Sequence, residues 1–398
     1  MSIIKILPDI YWVGTLDWNV RTFHGHTYST PRGTTYNAYL ILDDKVTLVD
    51  TVAGPFAREM IDNIKQIIPP ERIDYIIANH VETDHSGALP ELIKLCPKAK
   101  ILGTEKCKEG LYKHYYGKWD FQVVKTQDKL QLGKRNLSFI EAPMIHWPDS
   151  MFTYCPEEQL LLPNDAFGQH MASSERFDDQ VDQPVLMDEA VKYYANILWP
   201  LSPLILKKIE DIQRLNIPIK IIAPSHGIIW RKEPAKIINA YKSWAANVTK
   251  EKVVVVYETM WGATERMARK IVEGIIAGGT SVKMFDINSS DRTEIAKEML
   301  DSKGFLVGSS THDNHMLPNI AGFLELLKGF KPKNRIASAF GSFGWAGGAV
   351  KEIEEILKGA GIALAQSGIE IKYVPAEKEL LNCYAFGREF AEKLKGGN

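Results

Sequence analysis

In the stretch ANHVETDHSGALP, residues 78–90, His80, Glu82, Asp84 and His85 crowd together at the end of the apolar run RIDYIIA. Packing the like charges of Glu82 and Asp84 against each other is costly without a cation. Imidazole and carboxylate together are transition-metal ligands, so metal chemistry is the first reading of this turn. Three further apolar runs end in the same way. EAPMIHWPDS delivers His146, LLLPNDAFG delivers Asp165, and IKIIAPSHGIIW delivers His226. Strand ends are where α/β folds gather functional loops, so the four loops are expected to meet at one cleft. Each residue also has an ordinary explanation, since a lone histidine after a strand can be a hydrogen-bonded structural group and Asp165 alone can cap a turn. The full set is more specific than any member.

Zinc prefers imidazole and thiolate in four-coordinate sites, whereas a mixed histidine and carboxylate shell with open positions suits non-haem iron. The only cysteine near these positions, Cys155, follows a different stretch. The ligands His80, Glu82, Asp84, His85, His146, Asp165 and His226 are too many for one ion. Divided between two ions with one carboxylate bridging, they leave each metal room for a substrate. Two irons are therefore expected.

These loops need strands to carry them. Before about residue 250, short apolar runs such as KVTLVD, IDYIIAN, LSFIEAP, LLLPND and IKIIAPSH read as strands. Between the first two, PFAREMIDNIKQIIPP puts Phe56, Met60, Ile61, Ile64, Ile67 and Ile68 on one helical face before Pro69 stops it. After NVTKEK the rhythm becomes strictly βα, from KVVVVY and TERMARKIVEGIIAG through SVKMFD, GFLVGS and RIASAFG to GAVKEIEEILKGAG. Such alternation implies a parallel sheet covered on both faces. A boundary near Thr249 separates an expected first domain, residues 1–249, from a second, residues 250–398.

The second domain carries its own constellation. ETMWGATER follows its first strand and opens directly into a helix, so backbone N–H groups and the helix dipole suit a phosphate there. Thr259 and Thr264 offer hydroxyls, and Met260, Trp261, Gly262 and Ala263 complete the loop. It is neither a G-x-G-x-x-G nor a P-loop, which argues against a dinucleotide or a nucleoside triphosphate. GSSTHDNHMLPN brings Ser310, Thr311 and Asn314 to the same edge, and GSFGWAGGA brings Ser342, Phe343, Gly344, Trp345 and Gly347. Backbone and apolar contacts at such a switch point suit a flat flavin.

The pattern His80-x-Glu82-x-Asp84-His85, followed by His146, Asp165 and His226, resembles the metallo-β-lactamase fold. Hydrolases of that superfamily usually show H-x-H-x-D-H, and Glu82 replaces the second histidine here. With HWPDSMFTY, NDAFGQH, PSHGIIW and a flavodoxin-like second half, the whole chain resembles the flavodiiron proteins, also called A-type flavoproteins. The resemblance implies an α/β architecture, a metallo-β-lactamase-like αββα sandwich followed by a flavodoxin-like doubly wound parallel sheet. It implies two non-haem irons and FMN as cofactors, and reduction of dioxygen to water or of nitric oxide to nitrous oxide. His80, Glu82 and His146 would hold the iron nearer the flavin and Asp84, His85 and His226 the other, with Asp165 bridging; in some members the position of His85 is not a ligand. His24, in RTFHGHTYST, and Tyr193, in VKYYANILWP, resemble groups lining the family's substrate pocket, with His26 and Tyr194 as their neighbours.

The resemblance also implies a head-to-tail homodimer or homotetramer in which each FMN faces the partner's irons. Longer relatives add a rubredoxin-like module that binds iron through cysteine pairs. Cys96, Cys107, Cys155 and Cys383 form no such pair. An external donor is therefore expected: rubredoxin, a flavin reductase or a reduced deazaflavin. The competing reading is a zinc-dependent hydrolase fused to a flavodoxin-like domain, with zinc-bound hydroxide as nucleophile.

Composition bounds the rest. The 398 residues are 45% hydrophobic, ample for two cores. Lys and Arg number 48 against 49 Asp and Glu, so neither nucleic acid nor an anionic membrane is an expected partner. MSIIKILPDIYWVGTLDW places Pro8 and Asp9 where a signal peptide needs its apolar segment, and the expected location is the cytoplasm.

Overall fold

The computed structural model describes residues 3–25 and 27–396; His26 lies outside the described residues. The chain divides into two compact units. The first contains residues up to Tyr193 together with Pro203–Lys242, and the second Tyr194–Ser202 together with residues from Ser243 onward. By packing, the division therefore falls ahead of Thr249. Trp244 lies against Tyr194, and Asn247 Oδ1 accepts from Trp199 Nε1 at 3.4 Å and Arg335 Nη1 at 2.9 Å.

Two large sheets build most of the first unit. One runs Ile4–Leu7, Ile10–Trp12, Tyr39–Ile41, Val46–Val49, Ile73–Ile77, Lys100–Gly103 and Phe121–Val123, antiparallel up to Val46–Val49 and parallel beyond. The other runs Lys129–Gln131, Asn136–Glu141, Met151–Cys155, Leu160–Leu162 and Ile221–Ile222. Tyr39, Ile41, Val49, Ile77 and Leu102 of the first sheet meet Leu137, Phe139, Met151 and Leu160 of the second in one buried cluster. The outer face of the first sheet is covered by the helix Ala57–Lys65, whose Met60, Ile61 and Ile64 pack on Leu40, Leu48 and Ile76. Alternate residues of these strands thus feed two cores. Two sheets with helices outside make an αββα sandwich.

The second unit is a parallel sheet in the order Ser281–Asp286, Lys250–Glu258, Ser302–His312, Ile336–Phe343, with Ala363–Leu364 and Ile369–Lys372 both pairing with the last. This is the doubly wound 2-1-3-4-5 order, whose reversal beside the first strand opens a crevice at the strand C-termini. Val253, Val255 and Leu306 form its core with Met267, Ile271 and Ile275 of the helix Ala263–Ala277 and Phe390 and Leu394 of Glu377–Gly396.

Those two helices cross through glycines. A Cβ on Gly274 would lie 2.0 Å from the Tyr384 carbonyl oxygen, and one on Gly387 would lie 2.0 Å from that of Ile271. Helix propensity favours alanine at both positions by about 1 kcal/mol, while overpacking a fixed backbone costs about 1–3 kcal/mol. Either Gly274→Ala or Gly387→Ala is therefore expected to lower the unfolding midpoint, measured by denaturant titration of the FMN-loaded protein.

Candidate functional site

All four ligand-bearing loops leave the C-terminal ends of their strands, Ile73–Ile77, Asn136–Glu141, Leu160–Leu162 and Ile221–Ile222. After Ile77 the chain makes a single helical turn, Thr83–Ser86, with Glu82 at its N-cap. His85 and Ser86 N–H donate to the Glu82 carbonyl, and Ser86 Oγ donates to the Val81 carbonyl at 2.7 Å. This turn aims four side chains into one space. Ligand atoms of His80, Glu82, His146 and Asp165 lie within 4.8 Å of one another, and so do those of Asp84, His85 and His226.

Asp165 joins the two groups. Its Oδ1 lies 3.1 Å from His85 Nε2 and 3.6 Å from His226 Nε2, while its Oδ2 lies 3.4 Å from His146 Nε2 and 3.7 Å from His80 Nε2. Burial alone would lower the histidine pKa values, but the carboxylates outweigh it. Asp149, Glu82 and Asp165 lift His80 to about 10, Asp84 and Asp165 lift His85 to about 9, and Asp165 and Glu82 lift His146 to about 10. Burial would likewise raise Asp165, yet His85 and His146 hold it well below the usual carboxylate range. Negative charge so concentrated requires cations, either protons on the imidazoles or metal ions. Asp84 Oδ1, Asp165 Oδ2 and both ring nitrogens of His85 are buried without a hydrogen-bond partner. Buried polar atoms left in this way are what a bound metal satisfies, so the donor set fits two such ions.

Several supporting residues carry no signal of their own in the sequence. Asp149 accepts from His80 Nδ1 at 3.1 Å and from Val81 N–H at 2.7 Å, and its carbonyl accepts from Thr104 Oγ1. His226 Nδ1 donates to the Thr35 carbonyl at 2.6 Å. Both contacts fix the tautomer so that Nε2 faces the cluster. His170 lies beyond His226, stacked on Phe23 at 4.3 Å with Nδ1 2.8 Å from Thr34 Oγ1. Burial first, then His226 and His24, push its pKa well below the ordinary histidine value. HWPDS and NDAFGQH contain Asp149 and His170, but only the fold supplies their partners. His24 Nε2 stands 3.5 Å from Glu82 Oε1 at the partly open side of the cluster. Tyr193, fully buried, donates its hydroxyl to Asp165 Oδ1 at 3.1 Å, and Ser225 Oγ donates to the same oxygen.

In the second unit a cavity of about 590 Å³ opens at the sheet edge, within the usual range for a cofactor site. Of the expected residues, Met260, Trp261, Ala263, Ser310, Thr311, Asn314, Ser342, Phe343, Gly344 and Trp345 line it. Thr259, Gly262, Thr264 and Gly347 are not among its lining residues. The Thr259 hydroxyl accepts from Gly262 N–H, and Gly262 takes a φ of 82° to start the helix Ala263–Ala277. Thr264 Oγ1 sits 3.0 Å from Ser310 Oγ and 2.8 Å from Ser342 Oγ, a hydroxyl trio beneath a helix N-terminus. That is a donor set for a phosphate. Trp261 and Trp345 are 90% and 91% exposed, flat apolar faces that suit an isoalloxazine. The sequence reading omitted His312, Asp313, Tyr373 and Val374, which also line the cavity. Tyr373 and Val374 follow the short strand Ile369–Lys372, and Tyr373 N–H donates to the Phe343 carbonyl. Cys96, Cys107, Cys155 and Cys383 are all buried and unpaired.

Comparison with known proteins covers both units. Residues 34–227 match the ODP family beta lactamase model, and residues 255–387 match the flavodoxin model. A nitric oxide reductase of Moorella thermoacetica is 54% identical over 393 residues, spanning 98% of each chain. The rubredoxin oxygen:oxidoreductase structure from Desulfovibrio gigas superposes with a TM-score of 0.97 at 39% identity, covering 99% of both chains. The flavodiiron protein from Giardia intestinalis superposes with a TM-score of 0.96 at 36% identity, covering 99% of this chain and 97% of that one.

Two outcomes are expected of the site. Removing the Asp149 carboxylate in Asp149→Ala should weaken metal binding about 10–100-fold with flavin content unchanged, read by chelator competition. In chelator-stripped protein, His80, His85 and His146 bind protons more tightly folded than unfolded. Their stabilisation is complete below about pH 6.5 and is lost as pH rises through about 9 to 10. The melting temperature of the stripped protein should therefore fall over that window, in a scanning fluorimetry series from pH 6 to pH 10.

Proposed function

The chain belongs to the flavodiiron proteins, and on that premise we propose that its clustered histidines and carboxylates hold the two irons. It is an oxidoreductase that reduces nitric oxide or dioxygen; two non-haem irons, when bound, would supply the reduction chemistry and FMN the electrons for it. In our assignment His80, Glu82 and His146 hold one iron, Asp84, His85 and His226 hold the other, and Asp165 bridges. The observation that carries this assignment is the division of the two Asp165 oxygens between the groups. Residues 1–249 are assigned to iron and 250–398 to FMN, which the loops carrying the hydroxyl trio, Trp261 and Trp345 would hold.

The chain's own groups then have definite tasks. Asp149 and the Thr35 carbonyl present His80 and His226 with Nε2 free to bind metal. Tyr193 and Ser225 donate to Asp165 and keep its oxygens turned to both groups. His24, beside Glu82 and partly open to solvent, can hold a proton at Nε2 for a reduced oxygen atom. The apolar rings of Phe23 and Tyr36 lie against His226 and limit water beside it.

We assign nitric oxide as the first substrate to test, because the Moorella thermoacetica relative is named for its reduction; dioxygen is the second, from the name of the Desulfovibrio gigas relative. That second name also makes a rubredoxin the first electron donor to test, ahead of a flavin reductase or a deazaflavin. No helix among the described residues is long and apolar enough to cross a membrane, and we assign the chain to the cytoplasm. A head-to-tail homodimer or homotetramer is the working assembly. The zinc hydrolase reading is not favoured, since the relatives are reductases.

Protein purified anaerobically is expected to contain about two irons and one FMN per chain, and to consume nitric oxide when supplied with reduced rubredoxin. Zinc in place of iron, from cells given iron, would overturn the assignment. Asp165→Ala should lose iron from both groups while retaining FMN; unchanged iron content would remove its bridging role. Sedimentation of fully active protein as a monomer would refute the assembly.

A further inference from the structure

A second cavity of the first unit belongs to neither site. It is a groove of about 1150 Å³, larger than the flavin cavity, beside the helices Ser202–Arg214 and Pro234–Ala245. Its floor is apolar and closed, with Leu161 at 2% exposure and Phe167, Ile209 and Ile221 all under 9%. Ile212 and Ile238 form half-buried walls. The trough is apolar enough to strip water from a flexible chain.

Charge at the rim is one-sided. Lys220, Arg231, Lys232 and Lys236 line the groove, against Glu233 as the single acid. Arg231 is held by Asp179 at 3.0 Å and Lys236 by Gln183 at 3.1 Å. Among the described residues, the ammonium groups of Lys220 and Lys232 have no ion pair or hydrogen bond. An apolar trough with two uncommitted cations at its edge is complementary to one class of small molecule.

We propose that this groove binds a single-chain anionic amphiphile, its alkyl chain on the floor and its carboxylate at the rim with Lys220 and Lys232. The floor is also the back of the bridging loop. Phe167 follows Asp165 by two positions, its N–H donates to Tyr241 Oη at 2.8 Å, and its carbonyl accepts from Trp230 Nε1 at 2.9 Å. An occupant therefore rests on residues that hold this loop.

Calorimetric titration of the iron- and FMN-loaded protein with dodecanoate below its micellar concentration tests the proposal. Saturable binding at one site per chain is expected, strengthening about fourfold per methylene from octanoate to dodecanoate. Ile238→Asp should weaken it at least tenfold, and Lys220→Glu with Lys232→Glu should do the same, with iron and FMN content unchanged in both. Dodecyltrimethylammonium should not bind. Failure of dodecanoate to bind, equal binding of the cationic amphiphile, or binding unaffected by Ile238→Asp would each overturn it. So would a change in sedimentation of Ile238→Asp without any dodecanoate binding to the parent, which would mark the groove as a contact between copies.

Discussion

Three carboxylates, Glu82, Asp84 and Asp165, converge with four imidazoles in a space whose interior is almost closed to water. Coulomb repulsion among them is weakly screened there, so the arrangement stands only while positive charge is interleaved with it. The surrounding structure follows from that requirement. The outward ring nitrogens of His80 and His226 are tied to Asp149 and to the Thr35 carbonyl, which keeps their other nitrogens turned inward. Tyr193 and Ser225 supply donors to the most crowded oxygen. Two packed sheets beneath the loops give these contacts a rigid base, since strand ends move less than the loops they carry.

The second unit solves a different problem with the same tactic. A parallel sheet cannot be exposed on either face, so helices cover both, and its functional edge is where the strand order reverses. Close approach of two helices through Gly274 and Gly387 brings the final helix onto Ala263–Ala277, the helix whose N-terminus lies beside the hydroxyl trio. The placement of the hydroxyl trio thus rests on packing at the opposite end of the same helix.

Much of this was legible from residue types alone. Crowded ligand-type residues after apolar runs mark the loops that converge, because few other arrangements tolerate Glu82 beside Asp84, and the βα alternation after residue 250 marks the parallel sheet. What stayed hidden has physical reasons. Asp149 and His170 owe their roles to partners 69 and 136 positions away. Thr35 acts through its backbone carbonyl, which no side chain announces. Strands as short as Ile221–Ile222 are too brief for any periodicity. Tyr194–Ser202 sides with the second unit although it lies within the first part of the chain, a matter of where Trp199 finds its stacking partner, Phe330.

The separation of the ligands along the chain has a consequence for biogenesis. His80 and His226 belong to the two groups that Asp165 joins, yet the ribosome delivers them far apart in time, and the strand before His226 pairs in parallel with Leu160–Leu162 only after the helices between them have been made. The first group is complete in the chain once Asp165 has been made, whereas the second waits for His226, the last of these loops. The second group is therefore the last part of the cluster to be assembled, after nearly all of the first unit has been synthesised.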